Sequence, residues 1–332
     1  MTTTIMAKEA KQSPDVIREQ LSANKPVCEA IASKLKAIKP NLVFLIGRGS
    51  SDHAGVYAKY LFEVELGLPV SSAAPSVSGV FNQTLSLKNS VAIVISQSGR
   101  SPDILKKTER AKAGGAFTIA LVNDETSPLA NMVDAVLPLR AGPEKAVAAT
   151  KSYLATLSAL CQLCATWSEN NSLLEGLDAL PNAMAEVISH PAQLSAEKLK
   201  DTRNAVVLGR GFGYAVGREV ALKLKEVLSI HAEAFSSAEF IHGPVTLVEN
   251  ELQIINLPVD DESKPFHDEI IKDVERRGAE LQTIDIGSPA LHKRLLPLLT
   301  LQRFYLDIEA IAVELGLNPD TPPGLNKVTE TH

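Results

Sequence analysis

A short apolar run that ends in a glycine turn occurs twice in this chain, and the repetition limits what it can fold into. Leu42-Val43-Phe44-Leu45-Ile46 leads into Gly47-Arg48-Gly49-Ser50-Ser51. Asn204-Ala205-Val206-Val207-Leu208 leads into Gly209-Arg210-Gly211, 162 residues later (209 − 47). A continuous apolar run bounded by glycine reads as a strand buried on both faces, as in a parallel sheet. Each turn is followed by a helical pattern, over residues 53–65 and 214–228. Val70-Ser71 and Ile230-His231 close the loops after these helices at nearly the same separation, 160 residues (230 − 70). The first half continues with a strand at 91–95, a helix at 102–113, strands at 117–121 and 135–139, and helices at 151–168 and 173–186. A strand at 254–257, a helix after Pro265, a strand at 281–284 and a long apolar helix at 295–315 continue the second. Alternating strands and helices imply parallel sheets with right-handed crossovers. Recurrence at this spacing implies one duplicated α/β domain.

The expected fold class is therefore α/β, with two tandem subdomains, each a doubly wound parallel sheet flanked by helices. The expected segments are N-terminal helices at 1–40, a first subdomain at 41–190, a second at 191–316 and a tail at 317–332. Residues 13–39 read as two short helices opened by Pro14 and Pro26, since proline suits the first helical turn.

Bulk properties exclude several functions. A net charge of −6 gives no general affinity for nucleic acid or an anionic membrane, so an anionic ligand needs a local pocket. The longest apolar stretches, such as 91–95 and 295–299, are too short to span a bilayer. Residues 1–13 are polar and lack the apolar core of a secretion signal, and the three cysteines give no disulfide framework. The cytoplasm is the expected compartment. Cys161-x-x-Cys164 lies in an apolar helical run with no second Cys/His pair nearby, which reads as packing. The seven histidines show no metal-ligand spacing, so no metal is expected.

Two segments carry chemistry. Ser96-Gln97-Ser98-Gly99-Arg100-Ser101 falls between a buried strand and a helix opened by Pro102, the place where doubly wound sheets bind ligands. Its hydroxyl and amide side chains, a permissive glycine and a helix N-terminus suit a phosphate. A serine-rich turn that caps a helix is the plainer reading. Ser50 and Ser51 face the same crevice. Gly47-Arg-Gly49-Ser-Ser-Asp52 lacks the third glycine of a dinucleotide fingerprint, which weakens a nucleotide reading. In the second segment Lys223 and Glu226 are three apart on one helical face, which fits either acid–base chemistry or an exposed salt bridge. His231, Glu233, Glu239 and His242 crowd what reads as the turn after that helix.

Taken together, these stretches resemble the sugar isomerase (SIS) family over nearly the whole chain. The matching segments are Met6-x-Lys8-Glu9, Gly49-Ser50-Ser51, Ser96-Gln97-Ser98-Gly99-x-Ser101 and Glu144-x-x-Val147-Ala148-x-Thr150-Lys151. They continue with Leu222-Lys223-Leu224-Lys225-Glu226, His231-Ala-Glu233-Ala, Glu239-x-x-His242-Gly-Pro244 and the tail Pro322-Pro-Gly-Leu325-Asn-Lys327. The resemblance is to the isomerase half of glucosamine-6-phosphate synthase and to stand-alone glucosamine-6-phosphate deaminases of SIS type.

It implies that Ser50, Ser51, Ser96, Gln97, Ser98 and Ser101 hold a sugar 6-phosphate. Glu226 resembles the base that moves a proton between C2 and C1, with Lys223 beside it. His242 is similar to the histidine that opens the sugar ring, supplied in this family by the partner subunit, so a homodimer is implied. Lys327 resembles the tail lysine that forms an imine with the keto sugar in the synthase. Val147 lines the sugar through its backbone, and Glu144 lies near the amino or C2 group.

The departures are informative. About forty residues precede the first strand, without the synthase's glutaminase domain or a regulator's helix-turn-helix, so use of glutamine and a transcriptional role are not expected. The tail reads Pro-Pro-Gly-Leu-Asn-Lys where the synthase has Pro-Arg-Asn-Leu-Ala-Lys, and Ala149 replaces a usual serine. The expected reaction is deamination of D-glucosamine 6-phosphate to D-fructose 6-phosphate and ammonium. It needs no cofactor, because the substrate's carbonyl and amine act as the electron sink. The alternatives are a fructosamine-6-phosphate deglycase, a galactosamine-6-phosphate deaminase, an aldose–ketose phosphate isomerase or a non-catalytic sugar-phosphate sensor.

Overall fold

The computed structural model describes residues 3–250, 252–325 and 327. Two compact units emerge, each with its own parallel sheet. One comprises residues 15–144, 151–178 and 328–332, the last five lying outside the described residues; the other comprises residues 1–14, 145–150 and 179–327. These units cut across the linear segments expected from the sequence. Residues 3–14, the 145–150 segment and the described part of the tail all join the unit of the second sheet.

The first sheet contains β1 (Leu42–Ile46), β2 (Val70–Ser72), β3 (Ser90–Ile95), β4 (Phe117–Val122) and β5 (Ala135–Pro138), in the order β2-β1-β3-β4-β5. All pairings are parallel, with Val43 opposite Val70 and Val91. Every residue of β3 is buried, which is why its apolar run shows no alternation. Helices α2 (Ser50–Leu66), α3 (Pro75–Gly79), α4 (Pro102–Ala113), α5 (Pro128–Met132) and α6 (Lys151–Ser168) belong to this unit, as does the first part of α7 (Asn171–Ile188), which passes into the other unit at residue 179. In α6 only Thr166 and Ser168 escape burial, so the Cys161-x-x-Cys164 pair packs inside an apolar helix. Burial pushes the Cys161 thiol up to about 12, and the Tyr57 hydroxyl lies 2.9 Å from its sulfur.

The second sheet contains β6 (Asn204–Gly209), β7 (His231–Ser236), β8 (Gln253–Asn256) and β9 (Glu280–Thr283), in the order β7-β6-β8-β9. It is also parallel throughout, accompanied by α8 (Ala196–Leu199), α9 (Phe212–Leu228), α10 (Ser237–Ile241), α11 (Lys264–Arg276) and α12 (Leu296–Glu314).

The duplication holds element by element. Helices α2 and α9 each have 17 residues and begin 162 residues apart (212 − 50). The register repeats too: Val43 pairs with Val91, and Ala205 with Gln253, at the same offset (205 − 43 and 253 − 91, both 162). Between β8 and β9 one residue is gained, since Val91 faces Phe117 whereas Gln253 faces Glu280 (280 − 117 = 163). The glycine turns match as well. Gly49 and Gly211 have φ of +52° and +53°. A Cβ on Gly47 would lie 2.8 Å from the Ser51 backbone, and one on Gly209 would lie 2.3 Å from the Gly213 backbone. Only glycine allows the chain to turn this tightly from strand into helix.

The expected pair of short N-terminal helices is one continuous helix, α1 (Ile5–Ile38), which runs through both prolines. Proline breaks a helix by removing an N–H and freeing the carbonyl four residues earlier. For Pro14 that carbonyl belongs to Ala10, and Gln302 Nε2 donates to it at 3.0 Å. For Pro26 it belongs to Ser22, an exposed residue whose backbone water can satisfy. Further along, Gln20 donates to Leu139 O and Ala155 O, and Asn24 donates to Pro138 O, holding the middle of the helix from outside.

Candidate functional site

The strand order 2-1-3-4-5 places the ligand crevice of the first unit between the carboxyl ends of β1 and β3, where the order reverses. Ser50 and Ser51 open α2 directly after β1, and residues 96–101 join β3 to α4. The topology therefore brings the two predicted hydroxyl sets to one sheet edge.

Within the loop the side chains are used unequally. Ser96 is buried, and its Oγ accepts from the Gly99 N–H at 3.2 Å, shaping the turn. Gly99 has φ of +63°, and a Cβ there would sit 2.3 Å from Ser127 Oγ. Ser101 occupies the N-cap position of α4 but makes no capping hydrogen bond. Helix capping thus does not account for this serine. Half-buried Gln97 and Ser98, with Ser101, have side chains that make no hydrogen bond among the described residues. The N–H groups of Ser98, Arg100 and Ser101 also donate to nothing among them. Such a set of donors at a helix N-terminus can receive an anion. In the same unit, Glu144 is buried and accepts from Ser152 N at 3.1 Å and Ser152 Oγ at 2.6 Å, anchoring the start of α6.

The second unit carries the acid–base groups on α9. Lys223 is 1% exposed, and its Nζ lies 2.5 Å from Glu226 Oε2 and 3.1 Å from Glu219 Oε1. Glu219 is fully buried, whereas the Glu226 side chain is 24% exposed. The pair is therefore not a surface salt bridge. Burial alone would push the Lys223 ammonium down, but the charges and hydrogen bonds of Glu219 and Glu226 outweigh it and hold its pKa above the ordinary lysine value. One carboxylate thus stays accessible, seated on a cation that cannot leave. Sequence reasoning missed Glu219, although its spacing to Lys223 and Glu226 (four and seven residues) puts all three on one helical face.

His231 and Glu233 do not sit in a turn. They lie on β7, a strand at the edge of its sheet, where alternation exposes both and buries Ala232. Neither makes a hydrogen bond or ion pair with Lys223 or Glu226 among the described residues. Glu239 and His242 are exposed at and just after α10.

Three further predicted features come together in this unit. Lys327 Nζ donates to Ala146 O at 2.6 Å, beside half-buried Val147. The Val147 N–H donates to Asp320 O at 3.0 Å. Buried Glu9, from the Met6-x-Lys8-Glu9 stretch, accepts from Lys145 N at 2.5 Å and Ala146 N at 3.1 Å. The Asp320 carboxylate in turn accepts from Ile5 N and Met6 N at the start of α1. Asn326, within the tail motif, lies outside the described residues.

Known proteins fit this arrangement. The SIS domain model matches residues 36–165 and 198–288. The glutamine–fructose-6-phosphate aminotransferase (isomerizing) of Aquifex aeolicus is 32% identical over 342 residues, covering 97% of this chain and 57% of that protein. The chain thus spans little more than half the length of such relatives. A solved chain from Silicibacter pomeroyi DSS-3, assigned as a phosphosugar isomerase, is 34% identical with a TM-score of 0.90, over 96% of this chain and 100% of that one. The glucosamine-6-phosphate deaminase of Thermotoga maritima shares the fold, with a TM-score of 0.74 at 24% identity over 96% of this chain and 100% of that one. Two matched sheets, a hydroxyl loop at the switch point of the first and a carboxylate–lysine helix in the second place this chain in the SIS-domain family of phosphosugar isomerases, to which it belongs.

Proposed function

We propose that this chain is an enzyme that moves a proton between C1 and C2 of an amino- or keto-hexose 6-phosphate, and that it deaminates D-glucosamine 6-phosphate. The observation that carries the reading is Glu226, a carboxylate open to solvent on one side and fixed by a buried lysine on the other. A base held in one place can take a proton and return it to the neighbouring carbon.

In this reading the 96–101 loop with Ser50 and Ser51 holds the phosphate, and that remote contact fixes the reacting carbons. His242 assists ring opening. Glu226 takes the C2 proton and delivers it to C1, leaving an imine at C2; water adds there and ammonium departs with fructose 6-phosphate. Lys327 serves the open-chain sugar, the Val147 backbone lines it, and Glu144 stands behind the C2 group. The working species is a homodimer in which His242 of one copy serves the other. Among the described residues no helix is long and apolar enough to cross a membrane, and the enzyme is read as cytoplasmic.

The second reading is an aldose–ketose phosphate isomerase that shares the proton transfer and releases no ammonium. The Silicibacter pomeroyi relative, assigned as a phosphosugar isomerase, favours it. So do the aminotransferases, whose name records an isomerising activity.

Replacing both loop hydroxyls, Ser98→Ala with Ser101→Ala, tests the phosphate assignment. Hydrogen bonds to a charged group contribute about 1.5–3 kcal/mol each, so KM for the phosphorylated substrate should rise by about tenfold or more with kcat less affected. An unchanged KM contradicts this role for the loop.

A further inference from the structure

A phosphate monoester carries between one and two negative charges at neutral pH, and the hydroxyls and amides of the 96–101 loop are neutral. Two arginines stand near this crevice and are used differently. Arg100, inside the loop, gives Nη2 to Asp124 Oδ2 at 2.6 Å on the exposed surface. Arg48, in the glycine turn after β1, gives Nε to Asp103 Oδ2 at 2.7 Å. That is its one side-chain hydrogen bond among the described residues; its side chain is 47% exposed, and Nη1 and Nη2 donate to none of those residues.

The anchor is well placed. Asp103 lies in the first turn of α4, two residues after Ser101, and Arg48 lies two residues before Ser50. One ion pair therefore joins the turn bearing Ser50 and Ser51 to the helix that begins at the 96–101 loop. Asp103 does not use up the arginine's charge alone. Its Oδ2 also takes Lys107 Nζ at 3.2 Å, and Lys107 is 4% exposed. Burial alone would raise the Asp103 carboxyl, but the hydrogen bonds and charges of Arg48 and Lys107 hold it below the ordinary carboxylate value. Asp52, in the first turn of α2, is the other carboxylate acting on Lys107.

The duplicated copy supplies a contrast. Arg210 stands at the position of Arg48 (210 − 48 = 162), but the position of Asp103 is taken by Pro265 (265 − 103 = 162) and that of Lys107 by Glu269 (269 − 107 = 162). Arg210 instead lies over the Phe266 ring at 5.3 Å. The loop there reads Pro258-Val259-Asp260-Asp261-Glu262-Ser263, which repels phosphate. The carboxylate-anchored arginine thus occurs in the copy with the hydroxyl loop and not in the other.

We infer that Arg48 is the charged member of the phosphate site, held by Asp103 so that Nη1 and Nη2 meet the dianion. The inference rests on the reading of the 96–101 loop as a phosphate site. It makes Arg48 a specificity residue, favouring a doubly ionised phosphate ester over an uncharged sugar.

The test is titration of the intact enzyme with inorganic phosphate, at several salt concentrations and across the pH range in which phosphate passes from its singly to its doubly charged form. Wild type should bind phosphate with an affinity that falls as salt rises and as pH drops through that ionisation. Arg48→Gln should weaken binding by about tenfold or more and flatten both dependences, which a merely structural role would not do. Arg48→Lys, which keeps the charge, should bind within a few-fold of wild type and retain the salt dependence. It carries the test if the glutamine variant does not fold. A folded Arg48→Gln protein with wild-type affinity and salt dependence overturns the inference and leaves the loop reading intact, as does a folded Arg48→Lys protein that loses phosphate. Absence of phosphate binding in wild type overturns both.

Discussion

Glu226→Gln is expected to abolish turnover while sugar-phosphate binding persists. A placed general base contributes about 10²- to 10⁴-fold, and an amide cannot take a proton from carbon. The substitution spares the structure for a specific reason. Lys223 keeps Glu219 as a charged partner at 3.1 Å, and the glutamine oxygen still accepts from its ammonium. The sharpest readout is exchange of the sugar's C2 and C1 hydrogens with deuterated water, followed by NMR with the phosphosugar bound. Wild type should exchange them and the variant should not, with binding unchanged to within a few-fold. Exchange at the wild-type rate would remove Glu226 from this role.

Lys223→Met should have the largest effect on stability. Lys223 stands between a fully buried carboxylate and a three-quarters buried one. Its removal deprives the fully buried Glu219 carboxylate of a cation 3.1 Å away. Breaking a buried ion pair from one side costs about 3–5 kcal/mol. The loss should therefore far exceed that of an ordinary surface lysine, within about 0.5 kcal/mol. Adding Glu219→Gln to Lys223→Met should recover much of it, because the buried charge that the lysine offset is gone. Denaturant unfolding of the single and double variants checks this. A double variant no more stable than Lys223→Met would show that Glu219 is not the group the lysine neutralises.

Much of this fold can be read from one chain because duplication states it twice. Buried parallel strands appear as unbroken apolar runs, and the same glycine turn precedes α2 and α9. The 96–101 loop, which we propose holds the phosphate, stands out by its place after β3 and its density of hydroxyls. What escapes is whatever depends on partners distant in sequence. Pro14 looks like a helix start because nothing local reveals that Gln302 will satisfy Ala10 O. His231 and Glu233 look like part of a catalytic turn because two alternating polar residues on a short edge strand resemble a polar loop. Glu219 passes unnoticed among Val, Ala and Leu, where nothing local shows that the lysine one turn away will pair with it. Glu9 carries no local sign that it will bind Lys145 N and Ala146 N.

The two copies differ where the proposed function needs them to. Glu226 stands where the first copy has Val64 (226 − 64 = 162), and Ser50-Ser51 stand where the second has Phe212-Gly213 (212 − 50 = 162). The hydroxyl loop of one copy is an acidic loop in the other. On the proposed function, binding chemistry and proton-transfer chemistry are divided between equivalent helices.

The most direct test is ammonium release by the intact enzyme from glucosamine 6-phosphate, galactosamine 6-phosphate, N-acetylglucosamine 6-phosphate and a fructosamine 6-phosphate. The account predicts rapid ammonium from glucosamine 6-phosphate, with fructose 6-phosphate formed in equal amount and abolished by Glu226→Gln. No ammonium from either free amino sugar would contradict deamination, and would turn the reading to an isomerase or deglycase built on the same loop and base.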